Sequence, residues 1–449
     1  MKYQSNKLTK PYFKWHKIKL LFAIFLLFTM ARVEAANLSS IIQMAASESL
    51  ELKIEKIRID EERFEEVRAH NAMIPKLNGL VSHSRETYLD SSLFSIFGSQ
   101  YYSTLVSMEL VQAYPGLGKI PRIQEQMAAL KTFYKKVEFS KAENLLKKEV
   151  VRLFFELALQ AELIKVDQEN LGLLKKLKEV AEIKKSVGLA LSNDVLRIEV
   201  EIANYESGIE SRSFAMQNLR VDLANILNAS NSETLPIELP KSLEFATVTL
   251  DLNGLEAAMI QSDFEIELAR QDCKLVDKYL SGEQAARLPT FSLDGKYNLT
   301  NAAFGYKNVR DYSMNFALSF PIYDSGDIKN QFSKQKKTLD RLHLALENRI
   351  KSKKAMLKKA WTDYEEMGTK LQYGRKSVEQ SRENMRVMMA RYEAGEASII
   401  EMIDAQLILS KSLQNLASFH RDERIRLAQL YFLSLDSNGY ENLDQGAKQ

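Results

Sequence analysis

One short stretch of sequence occurs twice, and each copy lies between two long segments with helical periodicity. The copies centre on Gly188 and Gly395, which are 207 positions apart, and an acidic residue follows each glycine by six positions, Asp194 and Glu401. A glycine just past a helical run commonly ends the helix, and Ser or Asp shortly afterwards favours a new helix start. The stretch therefore predicts two tight turns between long antiparallel helices and an internal two-fold repeat.

The segments around these turns follow one order in both halves of the chain: helix, strand pair, long helix, turn, helix. We predict a first repeat over residues 36–228, a non-helical connector over 229–251 and a second repeat over 252–435. Residues 436–449 are polar and predict a loosely held tail. The predicted helices cover 36–72, 123–186, 193–227, 252–284, 327–393 and the segment up to about 435, and the predicted strands cover 77–85, 101–113, 291–299 and 312–320.

The helix before the second turn has the most regular apolar spacing, with intervals of seven, four and three residues. This spacing predicts a coiled-coil seam, which requires partner helices alongside. The seam comprises Leu339, Leu346, Ile350, Leu357, Trp361, Tyr364, Leu371, Val378, Met385 and Tyr392. The nearby Met385, Met388 and Met389 could bind a soft metal ion, but at helical spacing they are typical of core packing.

The predicted strands alternate apolar and polar side chains. In the second strand, for example, Tyr102, Val106 and Leu110 fall on one face, and Ser103 and Glu109 on the other. Two interpretations fit this pattern: a small soluble sheet with one buried face, or a sheet with one face toward lipid. Four strands are too few to close a barrel, and the smallest bacterial barrels have about 8, so in the second case several chains must combine.

The N-terminus has the pattern of a secretory signal peptide over residues 1–35. A basic lead precedes the apolar run from Leu20 to Met30, and Val33-Glu34-Ala35 forms a cleavage site before Ala36. The alternative is a permanent membrane anchor, but the run is shorter than the roughly 20 apolar residues of a spanning helix. We therefore predict an exported protein.

The positive charge of the chain belongs to this predicted signal. Residues 1–35 hold seven Lys/Arg and one Glu, so their removal changes the formal net charge from +3 to −3. A mature chain without excess positive charge argues against nucleic acid as a partner. The single cysteine, Cys273, cannot form an internal disulfide, so stability must come from packing. No Ser/His/Asp or paired-carboxylate arrangement is discernible, and we predict no enzymatic activity, no cofactor and no metal site.

The order of elements, together with several short motifs, resembles the TolC-like outer-membrane efflux family over nearly the whole mature chain. A proline leads each strand pair, in Ile74-Pro75-Lys76-Leu77 and Leu288-Pro289-Thr290-Phe291. The strand-to-helix joints around Gly118 and at residues 320–326 also match, as do the two glycine turns with their acidic followers. Each motif is weak alone, but their order and double occurrence make the set specific.

The resemblance implies a mainly α-helical fold with a small β portion. In this family three chains join. Each chain contributes four strands to one shared outer-membrane β-barrel, and the helical hairpins form a tunnel across the periplasm. Substrates such as drugs, toxic compounds or secreted proteins pass through without chemistry. The implied partners are outer-membrane lipid, a periplasmic adaptor protein and an inner-membrane transporter that supplies energy, and the implied location is the outer membrane of a Gram-negative bacterium.

The resemblance also implies two sets of site residues. A ring at the closed periplasmic mouth would contain Glu401 and Asp404, with Tyr392 and Asp194 in the closing network; crowded carboxylates should raise some of their pKa values. The family's basic residue two positions after the second glycine is absent, because Ala397 stands there. The turns that would contact the adaptor are Val187-Gly188-Leu189 and Ala394-Gly395-Glu396.

Other interpretations of these residues stay open at this point. Acidic residues favour the first turn of any helix, which alone accounts for Glu401 and Asp404, and each glycine is in any case a helix C-terminus. The chain as a whole could instead be a structural or adhesive coiled-coil protein of the cell envelope. Paired turns argue against that alternative, because they return the chain toward its strands instead of extending a stalk.

Overall fold

The computed structural model describes residues 37–88, 99–188, 191–230, 235, 237–240, 242–245, 248, 250–302, 309–434 and 443. The first set of elements is α1 (Leu38–Glu48), α2 (Leu50–Asn71), β1 (Lys76–Tyr88), β2 (Ser99–Tyr114), α3 (Lys119–Ser186) and α4 (Ser192–Ile226). The second set is α5 (Leu252–Ser262), α6 (Phe264–Ala285), β3 (Thr290–Ala302), β4 (Val309–Ser319), α7 (Asp327–Glu393) and α8 (Ile399–Ser434). The predicted mainly helical fold with a small sheet is confirmed, and the predicted signal peptide lies outside the described residues.

The helical segment ahead of each strand pair is divided in two, which corrects the single helices predicted over 36–72 and 252–284. Ser49 separates α1 from α2, and its hydroxyl accepts a hydrogen bond from the backbone N–H of Leu52 at 3.5 Å. Asp263 separates α5 from α6, and its Oδ1 accepts from the N–H groups of Glu265 and Ile266 at 2.9 and 3.0 Å. A polar side chain thus satisfies donors at the start of the second helix in each pair.

The four strands form one antiparallel sheet in the order β1-β2-β3-β4. The register places Leu77 opposite Leu110 and Tyr297 opposite Tyr312. Because opposite residues of an antiparallel pair share a face, the predicted apolar sets of neighbouring strands lie on one side of the sheet. In the single chain this side is open, with Val81 73% and Tyr312 88% exposed. Within the described residues, β1 and β4 each have one edge without a partner strand.

The opposite face of the sheet carries polar side chains that bond across strands. The amide Nδ2 of Asn298 donates to Asp311 Oδ2 at 2.9 Å, and the hydroxyls of Ser84 and Ser103 are 2.7 Å apart. The sheet is therefore two-sided, with one apolar and one polar face. In the described part of the chain, no helix has the length and apolarity needed to cross a membrane.

Left-handed backbone geometry occurs where each strand pair passes into a long helix. Gly116 has φ +59°, and a Cβ there would lie 2.7 Å from the carbonyl oxygen of Ala285, so no side chain fits. Gly326 has φ +81°. Ahead of it, the carboxylate of Asp324 accepts from the N–H groups of Ile328 and Gly326, both at 3.0 Å, and these hydrogen bonds lower the pKa of Asp324. The glycine-containing joints expected from the sequence are confirmed.

The long helices pack lengthwise in antiparallel pairs, α3 with α4 and α7 with α8, and α3 also packs against α2, α6 and α8. The part of the predicted seam on α7 that is buried in these contacts begins at Leu357 and extends toward the C-terminal end of the helix. Its buried residues are Leu357, Leu371, Val378, Met385 and Tyr392. Three apolar clusters result within the described residues: a central cluster that includes Phe154, Phe155, Leu223 and Phe245, a tip cluster that includes Leu174, Ile198, Met385, Tyr392 and Met402, and a small third cluster that includes Leu255, Met259, Leu357 and Leu430.

A layer of polar contacts lies between the central and tip clusters, and we call it the polar belt: Asp167 and Asn170 of α3, Arg212 of α4, and Ser410 and Gln414 of α8. Asp167 Oδ2 accepts from Arg212 Nε at 2.7 Å, and Asp167 Oδ1 accepts from Gln414 Nε2 at 2.9 Å. Asn170 Nδ2 donates to the hydroxyl of Ser410 at 2.9 Å. Three helices are therefore tied together by directional bonds, which fixes their relative register.

One residue of the C-terminal segment differs from its prediction. The polar composition of residues 436–449 predicts a loosely held tail, but Leu443 is only 1% exposed and belongs to the central cluster. The composition of a segment does not reveal that a single apolar side chain can bury itself in a neighbouring core.

Candidate functional site at the hairpin tips

The first predicted turn joins α3 to α4 at the end opposite the sheet. Gly188 has φ +77°, and the flanking Val187 and Leu191 are 63% and 71% exposed. The carboxylate of Asp194 accepts a hydrogen bond from the N–H of Leu191 at 3.0 Å, which closes the start of α4. Leu189, the third residue of the predicted adaptor-contacting turn, lies outside the described residues.

The second predicted turn joins α7 to α8. Gly395 also has φ +77°, and the N–H of Glu396 donates to the carbonyl of Arg391 at 2.8 Å. This closure is the usual end of a helix at a left-handed glycine. Ala394, Gly395 and Glu396 are all exposed. Both tips thus present a short exposed turn, as the sequence predicts.

Glu401 takes part in a capping box at the start of α8. Its Oε2 accepts from the N–H and the hydroxyl of Ser398 at 2.8 and 2.9 Å, and its own N–H donates to the Ser398 hydroxyl at 3.3 Å. The hydrogen bonds from the backbone and hydroxyl of Ser398 lower the pKa of Glu401. Within one chain this is opposite to the raised pKa expected from crowded carboxylates, because the cap stabilises the charged form.

Glu401 and Asp404 lie on the exposed side of α8. The side chains between and after them, Met402, Ile403 and Ala405, are buried in the tip cluster. Positions three apart on a helix are neighbours on its surface, so the two carboxylates form one acidic patch facing away from the chain's own core. The preference of acidic residues for the first turn of a helix therefore accounts for the Glu401 cap, and the capped side chain is still exposed.

Tyr392 connects the two tips. It is 6% exposed, and Lys184 of α3 donates from Nζ to its carbonyl oxygen at 2.7 Å. The same ammonium lies 4.1 Å from the centroid of the Tyr392 ring. Burial raises the pKa of the Tyr392 hydroxyl, and the negative charge of Asp194 raises it further. The structure adds Lys184 beside Tyr392, a residue that sequence reasoning missed.

The position where a basic residue was expected contains Ala397, which packs against the tip cluster. Met385 is buried in the same cluster, and Met388 and Met389 pack against it, so these methionines are engaged in core packing. Among the described residues, no group of three or more His, Cys, Asp or Glu side chains is placed to hold a metal ion.

Comparison with known proteins agrees with this geometry. Residues 257–434 match the family model described as outer membrane efflux protein. Nodulation protein T of Rhizobium leguminosarum bv. trifolii is 21% identical over 296 residues, a match that spans 65% of this chain and 62% of the nodulation protein. The match to this curated relative therefore covers less than two thirds of the relative's own length.

Solved structures show the same fold. The CmeC outer membrane channel of Campylobacter jejuni has a TM-score of 0.75 at 13% identity, covering 92% of this chain and 90% of that one. The open state of the MtrE outer membrane channel of Neisseria gonorrhoeae has a TM-score of 0.73 at 18% identity, covering 88% of each chain. At these identities the likeness concerns the fold.

The sheet, the long hairpins and the matches together define a protein with the fold of an outer-membrane channel subunit. More specifically, the match of residues 257–434 to the outer membrane efflux protein model confirms the resemblance to the TolC-like family that the sequence motifs indicate. The outer membrane named in the description of the matched family agrees with the predicted outer-membrane location.

Proposed function

We propose that three copies of the chain form a channel-tunnel that passively exports drugs, toxic compounds or secreted proteins across the outer membrane. The sheet is the observation that carries this proposal. Its apolar face is exposed, and β1 and β4 each have an unpaired edge within the described residues. Unpaired backbone groups are costly in lipid because no water is present to bond them. Three four-stranded sheets joined edge to edge would satisfy these groups and form one β-barrel.

In this proposal the helical hairpins of both halves form the tunnel wall. α3 has 68 residues and α7 has 67, so each is about 100 Å long at ~1.5 Å per residue. The two halves would supply equivalent strand pairs and hairpins, as an internal two-fold repeat requires, and three chains would place six similar hairpins around one axis. A helix of this length reaches far from the barrel and suits a conduit that crosses the periplasm.

We further propose that the tips contact a periplasmic adaptor, and that an inner-membrane transporter supplies the energy. The two exposed turns lie at the ends of α3 and α7 opposite the sheet, where a partner from the inner membrane would reach them. The proposed contact residues are Val187, Gly188, Leu189, Ala394, Gly395 and Glu396.

Purified protein tests this proposal directly. In detergent we expect a trimer that resists dissociation by mild heating in dodecyl sulfate, and in planar lipid bilayers we expect single-channel conductance. Loss of export in a deletion strain would separate a conduit from a structural or adhesive envelope protein. A mature polypeptide that stays monomeric and soluble without detergent would contradict the proposal.

The acidic patch on α8 leads to a prediction for the closed mouth. In a trimer, Glu401 and Asp404 would place six carboxylates around a narrow opening that attracts cations. Replacing both residues by Ala should raise the concentration of a trivalent cation, such as hexaamminecobalt, needed to block the channel by at least roughly tenfold, because removing the carboxylates removes the Coulomb attraction. Block is measured as the loss of conductance in planar bilayers.

A matched control removes the same charge elsewhere. Asp340 and Glu347 are exposed on α7, far along the helix from the tip, and the double variant D340A/E347A should be blocked like the wild type. Equal block of the wild type and of E401A/D404A would show that the two carboxylates do not line the mouth.

A further inference from the structure

A cavity of about 210 Å³ lies where α3 packs against both α2 and α6. Leu130 of α3 and Leu275 of α6 give it apolar walls, and Gln271 and Asp272 of α6 add two polar groups beside them. We propose that this cavity binds a small aromatic amine, with the ammonium held by Asp272 and Gln271 and the ring between the two leucines. The inference goes beyond the proposed conduit, which needs no ligand site within the packed helices.

Gln271 supplies a buried acceptor that lacks a donor. The residue is 4% exposed, and its amide Nε2 donates to Glu267 Oε1 at 2.5 Å. Because an ionised carboxylate only accepts hydrogen bonds, this contact identifies which end of the amide is the nitrogen and leaves Oε1 as the other end. Oε1 is buried and has no hydrogen-bond partner among the described residues. A buried acceptor without a donor is costly, and a ligand N–H in the cavity would remove that cost.

Asp272 supplies a carboxylate without a counter-charge. It is half-buried, and in the described part of the chain its side chain takes part in no ion pair and accepts no hydrogen bond. Burial raises the pKa of Asp272, because removal from water disfavours the charged form. Gln271 and Asp272 lie four and three positions before Leu275, so both acceptors border the same apolar surface of α6. One ammonium group at this place would pair with Asp272 and donate to Gln271.

The facing wall of the cavity, on α3, suits an aromatic cation. Tyr134 lies four positions after Leu130, so the two side chains are neighbours on that wall. Burial raises the pKa of the Tyr134 hydroxyl, and the negative charge of Asp272 raises it further. An ammonium near an aromatic ring gains cation–π attraction. An apolar cavity of about 150 Å³ holds benzene, so the larger volume here has room for one ring and a short amine chain.

The other charged groups at the cavity define the main alternative, an aromatic anion of the same shape. Lys131 and Lys135 of α3 and Glu62 of α2 also line the cavity. Lys135 is already paired with Glu138 at 2.7 Å, and Lys131 is exposed, so water hydrates its charge. The observations favour the amine because the two groups without described partners, on α6, are both acceptors.

The test measures binding of para-fluorophenethylamine to the full-length protein in detergent, read from the fluorine NMR line width of the amine during titration. Asp272→Asn keeps the shape of the side chain and removes its charge, so it should weaken binding about tenfold. Asp277→Asn is the matched control, because Asp277 lies on the same helix but is exposed and does not line the cavity. This control should bind the amine like the wild type.

A second variant and a second probe complete the test. Leu275→Phe places a ring in the cavity and should weaken amine binding at least tenfold, so it decides the matter if Asp272→Asn fails to assemble. Para-fluorophenylacetate, the anion of similar shape, should bind more weakly than the amine. Equal amine binding by the wild type and both variants would show partition into detergent only, and tighter binding of the anion would also overturn the proposal. A wild type that conducts but binds no amine refutes the site while the channel stands, whereas binding without conductance contradicts only the proposed function.

Discussion

Replacing Asp263 by Ala is expected to lower the free energy of unfolding by about 3–5 kcal/mol per chain, the typical effect of breaking a buried ion pair by removing one partner. Asp263 is 7% exposed at the break between α5 and α6. Its Oδ1 caps α6 through two backbone N–H groups, and its Oδ2 lies 3.0 Å from Nζ of Lys353 on α7. Lys353 is 9% exposed, so the variant would leave a nearly buried ammonium with less compensation.

The surroundings make this site a junction of three helices. Glu265 of α6 lies 3.2 Å from Lys353 and 3.3 Å from Lys141 of α3. Burial alone would raise the pKa of Glu265, but hydrogen bonds and charge from Lys353 and Lys141 outweigh burial and lower it. When Asp263 is absent, Glu265 is the described carboxylate that remains beside Lys353 and Lys141, and it also pairs with Arg349 at 3.2 Å. We therefore expect the packing of α6 between α3 and α7 to weaken.

Asp251, the N-cap residue of the preceding helix α5, provides a control that separates the capping contribution of Asp263 from its ion pair with Lys353. Asp251 is exposed and accepts from the N–H groups of Asn253 and Gly254 at 3.1 and 3.0 Å, and no ion pair involving it is found among the described residues. Asp251→Ala should therefore cost only about 1 kcal/mol, the usual effect of losing a cap. Both variants are measured as the shift in the urea midpoint of the helical circular dichroism signal in detergent. Equal shifts would mean that the pair with Lys353 contributes nothing beyond capping.

Patterns that repeat along the sequence predicted the fold well. The alternation in the strands reflects a physical period of two, and the register confirms it by placing Leu77 opposite Leu110 and Tyr297 opposite Tyr312. The glycine turns were predictable because a left-handed residue strongly favours glycine. Both of these signals are local, so neither depends on knowing which distant residues come together.

The features that the sequence did not predict depend on distant partners or on a single residue. Ser49 and Asp263 interrupt helices without any glycine or proline, and their capping role becomes visible only from the backbone geometry. Lys184 is one of two adjacent lysines near a helix end, and nothing in the sequence distinguishes it from Lys185. Its partner is on the other hairpin, so only the packing of α3 beside the end of α7 singles it out. Leu443 was missed for the same reason.

The polar belt leads to the second large effect: Arg212→Met should cost about 3–5 kcal/mol per chain, because it leaves a buried carboxylate without its positive partner. The Asp167 side chain is 3% exposed, whereas that of Arg212 is 26% exposed. Without Arg212, the remaining described donor to Asp167 is Gln414 at 2.9 Å. The reverse change is milder, since Asp167→Asn keeps an acceptor for Gln414 and Arg212 can turn toward water, and we expect a cost of about 1 kcal/mol.

The difference in expected cost between Arg212→Met and Asp167→Asn distinguishes an uncompensated buried charge from a simple loss of contact. Arg386→Met is the matched control, because Arg386 makes a similar ion pair with Glu383 at 2.7 Å on the surface of α7, where its side chain is 71% exposed. A surface pair of this kind should give no measurable shift of the urea midpoint. If Arg212→Met were as mild as Arg386→Met, or milder than Asp167→Asn, the belt would not be a buried electrostatic tie between α3, α4 and α8. Since the belt lies between the central and tip clusters, a large effect of Arg212→Met would also mean that the tips are held in register by charge as well as by apolar packing.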